Sequence, residues 1–115
     1  MKNKLRNILF SSEFETYYKS LQEKIQCKYD YVMQILSSMY VVNEKFVKRL
    51  EGTGFYELRV SISTNEYRTI LFTIDADNFM EAKTIILLNS FLKKDKKQYK
   101  AEIAKAKTIL KSLEE

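Results

Sequence analysis

Arg59 and Arg68 stand on two neighbouring segments that alternate apolar and polar residues, and Lys93 and Lys94 follow the next apolar segment. Guanidinium groups hold phosphate oxygens through paired hydrogen bonds in a fixed geometry, and lysines add positive charge. Gathered at one edge of a sheet, these side chains would bind a scissile RNA phosphate and stabilise the charge that develops as it is attacked. Strand arginines and lysines also serve as ordinary surface residues, so the chemistry depends on whether the fold brings them together.

Other chemistries find little support in the chain. Histidine is absent, and with it the side chain whose unperturbed pKa best suits proton transfer near neutrality. Catalysis would fall to Arg, Lys, Tyr, Asp or Glu. Cys27 is the single cysteine; it has no second thiol to pair with and no histidine with which to build a zinc site, and it reads as a small, half-buried helix residue. No glycine loop for phosphate and no Gly-x-Ser-x-Gly elbow occurs. Asp75 and Asp77 are better turn residues than ligands.

The elements that must position the basic residues follow from periodicity. Asn7 to Phe10 is a short apolar run, expected as an edge or second strand. Ser12 with Glu15, and Ser20 with Glu23, have the Ser-x-x-Glu form of a capping box. Two helices with a break near Ser20 are expected, the first with Phe14, Tyr17 or Tyr18, and Leu21 inward, the second with Ile25, Tyr29, Val32, Leu36 and Met39 inward. One long helix from Ser12 to Tyr40 is the alternative. Glu44 to Leu50 is expected to form one or two turns of helix, after which Gly52 and Gly54 let the backbone take positive φ and turn into a strand.

In Phe55 to Ile62, Tyr56, Leu58, Val60 and Ile62 share one face, and Glu57, Arg59, Ser61 and Ser63 the other. Thr64 to Glu66 is expected as the turn and Tyr67 to Ile74 as the return strand. A connecting loop with an even number of residues puts Arg59 and Arg68 on one face; an odd loop or a bulge parts them. Arg68 alternates with Ile70, Phe72 and Ile74, so that face would be only partly polar. After a turn at Asp75–Asn78, Lys83 to Phe91 is apolar on both faces, as in a central strand. Asp95 with Gln98 offers a further cap, and Tyr99, Ile103, Ala106, Leu110 and Leu113 form the stripe by which a last helix docks, with Lys100, Lys107 and Lys111 beside it. The expected class is α+β: an antiparallel sheet of about four strands, an N-terminal helical pair and a C-terminal helix.

The totals agree with this outline. At 115 residues with no proline, residues 1–115 are expected to form one domain with a core of its own. The longest purely apolar run, Ile85 to Leu88, is far short of a membrane span, and Met1 to Phe10 is too mixed for a secretory signal, so a cytoplasmic location is expected. The net charge is +5, yet the segment from Lys93 to Lys111 carries eight lysines against Asp95 and Glu102, or 8 − 2 = +6, leaving −1 elsewhere. That segment suits a polyanion partner or forms the solvated face of an ordinary helix.

At these residues the chain resembles the RelE/HigB superfamily of toxins from bacterial toxin–antitoxin pairs, in its phage-derived HigB-like branch. The resemblance rests on Leu50-Glu51-Gly52-Thr53-Gly54, Tyr56-Glu57-Leu58-Arg59-Val60, Tyr67-Arg68, Leu87-Leu88-Asn89-Ser90-Phe91 with Lys93-Lys94, and Ala101-Glu102-Ile103-Ala104-Lys105-Ala106. It implies a small RelE-like fold and a ribosome-dependent endoribonuclease that cuts mRNA in the ribosomal A site by attack of the ribose 2′-hydroxyl on the adjacent phosphate. No metal or other cofactor is implied. It also implies a cognate antitoxin, often a helix-turn-helix protein. Arg59 falls on a basic strand residue near the phosphate, and Arg68 on a phosphate and transition-state contact. Lys93 or Lys94 falls on a basic residue that protonates the leaving oxygen in relatives, and Tyr99 near an aromatic residue that stacks on or activates the nucleotide. Tyr99 also fits the core stripe.

Where some relatives use histidine this chain has none, and others put lysine where Glu57 stands; Ser90 replaces the glycine common in the Leu-Asn-Gly-Phe block. Glu57 is read either as a surface carboxylate in a salt bridge or as a general base held beside the 2′-hydroxyl by Arg59. A transition-state role for Arg68 implies that Arg68→Ala removes toxicity with little loss of fold. A gyrase inhibitor of the ParE kind, and a non-catalytic module that binds nucleic acid or antitoxin, are the alternatives, since a fold does not fix an activity.

Overall fold

The alternation around Arg59 and Arg68 does build a hairpin. In a computed structural model describing residues 4–114, β3 (Phe55–Ile62) pairs antiparallel with β4 (Asn65–Thr73) through the two-residue loop Ser63-Thr64. The loop is even and sits earlier than the expected turn; Ser63 takes the left-handed conformation at φ 55° that closes it. The register is therefore Arg59 opposite Arg68.

The other elements are β1 (Asn7–Phe10), α1 (Ser12–Ser20), α2 (Glu23–Ser38), β2 (Val47–Leu50), β5 (Thr84–Leu92) and α3 (Gln98–Leu113). They make an α+β fold with a five-stranded sheet in the order β1-β5-β4-β3-β2. The expected sheet of about four antiparallel strands is corrected in two respects. Val47–Leu50 is a strand, not helical turns, because it pairs with Phe55–Leu58 across a loop in which Gly52 and Gly54 adopt φ of 76° and 81°. And β1 is an edge strand that runs parallel to β5.

The sheet is covered on both faces. Phe14 of α1 and Tyr29, Val32 and Leu36 of α2 pack on Leu58, Val60, Leu71, Ile85 and Leu87. On the opposite face, Ala106 and Ile109 of α3 pack on Ile70, Ile86, Leu88 and Phe91. This resolves why Arg68 alternates with apolar residues, since α3 buries Ile70 and leaves the end of the sheet near the arginines to polar groups. The docking stripe runs through Tyr99, Ile103, Ala106, Ile109 and Leu110, while the expected Leu113 is exposed. Cys27 is exposed, not half-buried. Among the described residues no helix is long and apolar enough to cross a membrane.

The helices start one or two residues away from the expected caps. Ser11, not Ser12, caps α1, its Oγ accepting from the Phe14 N–H at 3.0 Å. The break between α1 and α2 falls where expected, but Leu21 and Gln22 make it by taking extended backbone angles, and Gln22, without a side-chain cap, replaces Ser20 as N-cap. Ser20 instead donates back to the Tyr17 carbonyl. Asp95 and Gln98 do bond near the start of α3: Gln98 Oε1 accepts from the Asp95 N–H at 3.0 Å, although the N-cap position is Lys97.

One irregularity ties three elements together. Thr69 lies opposite Ser90 and Leu71 opposite Leu87, so Ile70 faces two residues, Leu88 and Asn89, in a β-bulge. The Ser11 hydroxyl donates to the Leu88 carbonyl, and Asn89 Nδ2 donates to the backbone carbonyl and side chain of Glu102 on α3. Ser11→Ala removes both the cap and the bulge contact. It is expected to cost roughly 2 kcal/mol in urea denaturation, and an unchanged midpoint would show that neither bond contributes.

Candidate functional site

Two residues apart on β3, Glu57 and Arg59 point to the same face, and the register of the hairpin sets Arg68 of β4 directly opposite Arg59. Like charges so placed repel. The fold answers with a carboxylate between them: Glu57 Oε2 lies 3.7 Å from Arg59 Nε, and Glu57 Oε1 lies 3.5 Å from Arg68 Nε. The first turn of α3 completes the group, where the Tyr99 hydroxyl donates to Glu57 Oε1 at 2.6 Å.

Glu57 is only 4% exposed, so its expected place as a surface carboxylate is corrected: it is the buried centre of the cluster. Three elements meet on it, and none of the three contacts is local in sequence except that with Arg59. Arg68 is buried as well, at 2% exposure. Its other nitrogens are engaged, one donating to the Tyr67 carbonyl at 3.1 Å and one to Glu66 Oε1 at 3.2 Å. Glu66 also accepts from the Ser61 hydroxyl, and that bond, with the help of Arg68, holds its carboxyl below the ordinary range. Glu66 was not among the residues singled out from the sequence. It lies two residues before Arg68 on β4, a spacing that places both on one face, and that pattern was the available signal.

The arginines therefore differ in kind. Arg59 has a side chain 26% exposed and donates to the Glu44 carbonyl at 3.2 Å, so its guanidinium borders solvent. Arg68 is sealed beneath Glu57, Glu66 and Tyr99. Removing it would strand a buried carboxylate, which corrects the expectation that Arg68→Ala spares the fold.

Tyr99 belongs to both of its expected roles. Its ring packs edge-on against Phe91 at 5.4 Å between centroids, while its hydroxyl serves the cluster. Burial, reinforced by the bond to Glu57, pushes its pKa up to about 12, so at neutral pH it is a proton donor and not a phenolate base. Lys93 and Lys94 separate. The Lys93 ammonium lies 5.9 Å from the centre of the Tyr99 ring, at the margin of the cluster. Lys94 is exposed, and it is its backbone N–H that is engaged, by Gln98. The site is thus Glu57, Arg59, Arg68 and Tyr99, with Glu66 behind Arg68 and Lys93 beside Tyr99.

Comparison with curated proteins and with solved structures returns no match. Residues 16–111 match the family described as "Phage derived protein Gp49-like (DUF891)". That span runs from α1 nearly to the end of α3 and contains every member of the cluster. The chain belongs to this Gp49-like family of phage-derived proteins, a toxin-like family related to toxins of the RelE/HigB type.

Proposed function

We propose that the protein is the toxin of a toxin–antitoxin pair and acts as an endoribonuclease on translating mRNA in the ribosomal A site. Membership of a toxin-like family supports the first part. The observation that carries the second is the facing pair Arg59 and Arg68, with the Glu57 carboxylate between them and the Tyr99 hydroxyl donating to that carboxylate. Such a group suits attack of a 2′-hydroxyl on the neighbouring phosphate. In this reading the guanidiniums form charge-assisted bonds to the phosphoryl oxygens, Glu57 takes the proton of the attacking hydroxyl, and Lys93 or Tyr99 supplies one to the leaving oxygen. A cognate antitoxin, of the helix-turn-helix kind in this reading, holds the toxin inactive.

Induction of the chain in bacteria is expected to arrest growth, with translation-dependent cuts in mRNA. Normal growth with intact transcripts at verified expression would refute the proposal. Arg59→Ala is the variant of choice, because Arg59 is partly exposed and its loss leaves Glu57 paired with Arg68. Cleavage on ribosomes is expected to fall at least tenfold, by about 1.4 kcal/mol or more of transition-state stabilisation, with the stability change held to about 1 kcal/mol. Full activity in Arg59→Ala would remove that residue from the chemistry. The burial of Arg68 favours a second reading, in which the cluster is structural and the protein inhibits a target such as gyrase without cutting RNA. DNA breaks dependent on gyrase, with mRNA intact, would establish it.

A further inference from the structure

The arginine pair at the centre of the site is electrically balanced. Arg59 and Arg68 contribute two positive charges, and Glu57 and Glu66 two negative ones. At 2% exposure Arg68 is covered in the free protein. A phosphodiester arriving here would meet no free cation of the pair and would face two carboxylates.

The contacts are nonetheless uneven. Arg68 Nε is buried without a hydrogen-bond partner, although Glu57 Oε1 is 3.5 Å away. Arg59 Nε stands off from Glu57 Oε2 at 3.7 Å. Charge-assisted N–H···O bonds are about 2.7–2.9 Å long, so each Nε is balanced in charge by Glu57 without a close hydrogen bond to it, while the other nitrogens of Arg68 and one of Arg59 are engaged elsewhere. The one tight bond to the carboxylate comes from Tyr99, at 2.6 Å. Glu57 is thus fastened by the tyrosine of α3, and merely flanked by the arginines. A well-made structural ion pair would show the reverse.

We propose that Glu57 is a tethered anion that occupies the phosphate position of the free protein, with the Tyr99 hydroxyl as its latch, and that a phosphodiester binds by displacing this carboxylate from the arginine pair. The proposal rests on the reading of that pair as a phosphate site. Displacement exchanges one anion for another, so the charge balance survives, and the wider spread of phosphoryl oxygens fills the donors that Glu57 leaves empty. The apparent affinity of the resting protein is lowered by the fraction of molecules in which the latch is open. Opening requires the first turn of α3 to release Glu57, and the exposed lysines that lead into it, Lys94, Lys96 and Lys97, give a polyanion a means of drawing that turn aside.

The test measures binding of a short single-stranded 2′-deoxy oligonucleotide, which cannot be cleaved by its own 2′-hydroxyl, to the full chain by calorimetry. Glu57→Gln is expected to bind at least tenfold tighter than the unaltered protein. Tyr99→Phe, which opens the latch without changing charge, is expected to gain about threefold. Glu51→Gln, an equal change of charge in an exposed loop, is expected to gain little, and adding Arg59→Ala to Glu57→Gln is expected to abolish the gain. Equal affinities for the folded Glu57→Gln and unaltered proteins overturn the proposal, as does the same gain from Glu51→Gln, a gain that survives loss of Arg59, or no binding by any variant. Should Glu57→Gln fail to fold, Tyr99→Phe decides alone, and no gain there overturns it. Cleavage on translating ribosomes is scored separately: its absence refutes the nuclease while leaving a tenfold gain in Glu57→Gln to support the tethered anion.

Discussion

In urea denaturation, Arg68→Ala is expected to lose about 3–5 kcal/mol of stability. The loss is that of a buried partner. With Arg68 gone, Glu57 keeps only the Tyr99 hydroxyl and a distant Arg59, and Glu66 keeps only Ser61. A carboxylate 4% exposed must then take up a proton, draw in water or break out of the fold, and each costs free energy. The cost belongs to the stranded charge more than to lost volume. Glu57→Gln introduced together with Arg68→Ala is accordingly expected to recover part of the stability, with a coupling between the two substitutions of about 1–3 kcal/mol. A loss below about 1 kcal/mol in Arg68→Ala, the range of an exposed ion pair, would show that the buried pairing is energetically idle. Non-toxicity of Arg68→Ala in cells thus says little about chemistry until its folding is measured, whereas Arg59→Ala speaks to chemistry directly.

Arg6→Met is the second large effect, and it is wholly structural. Arg6 is 1% exposed and donates to five backbone carbonyls: Leu36 at 2.9 Å, Met39 at 2.6 Å, Tyr40 at 2.7 Å, Phe79 at 3.2 Å and Met80 at 3.3 Å. The first three close the C-terminal end of α2, where helix carbonyls lack internal partners and the dipole is negative. The last two belong to the loop before β5, and the guanidinium also lies over the Phe79 ring at 4.2 Å from its centre. A single side chain thus joins β1, the end of α2 and that loop. Methionine keeps much of the volume and removes every donor, leaving several buried acceptors unmatched. The expected cost is about 3–5 kcal/mol, a large share of a typical domain's stability of about 5–15 kcal/mol. Arg6→Lys is expected to recover only part of it, because an ammonium on a flexible stem lacks the planar fork that serves two segments at once. A thermal midpoint for Arg6→Met within about 2 °C of the unaltered protein would refute this role.

What the sequence disclosed follows from which interactions are local. The hairpin that faces Arg59 with Arg68 was legible because a strand with one buried face must alternate, and the even loop then sets the register. The break near Ser20 and the glycine turn before Phe55 were legible from local residue chemistry, the first from a Ser-x-x-Glu pattern and the second from two residues free to take positive φ. Val47–Leu50 was not: Phe46, Val47 and Leu50 fit one face of a helical turn as well as a short strand, and only pairing with distant β3 decides between them. Glu57 looked like a surface group because it sits among polar residues on its strand; its burial comes from Arg68 and Tyr99, which arrive from other elements. Arg6 left no trace, since backbone carbonyls, its partners, carry no sequence signature.

The bulge at Leu88-Asn89 has a consequence for how this chain tolerates change in length. Were the same residues paired without a bulge, strict alternation from Ile86 and Leu88 would send Ser90 and Leu92 toward α3, and Phe91 and Lys93 toward the two N-terminal helices. The doubled position reverses that parity, so that Phe91 reaches the Tyr99 ring and the Lys93 ammonium lies near it. Loss of Asn89 would remove the doubled position and let plain alternation carry Phe91 and Lys93 to the face they now hold, at the cost of the bonds from Asn89 to Glu102. The upper half of β5 is in this sense addressed by number: one residue can be spared at Asn89, where the strand carries an extra one, whereas loss of Leu92 beyond the bulge would turn Lys93 to the other face even though every remaining amino acid was unchanged.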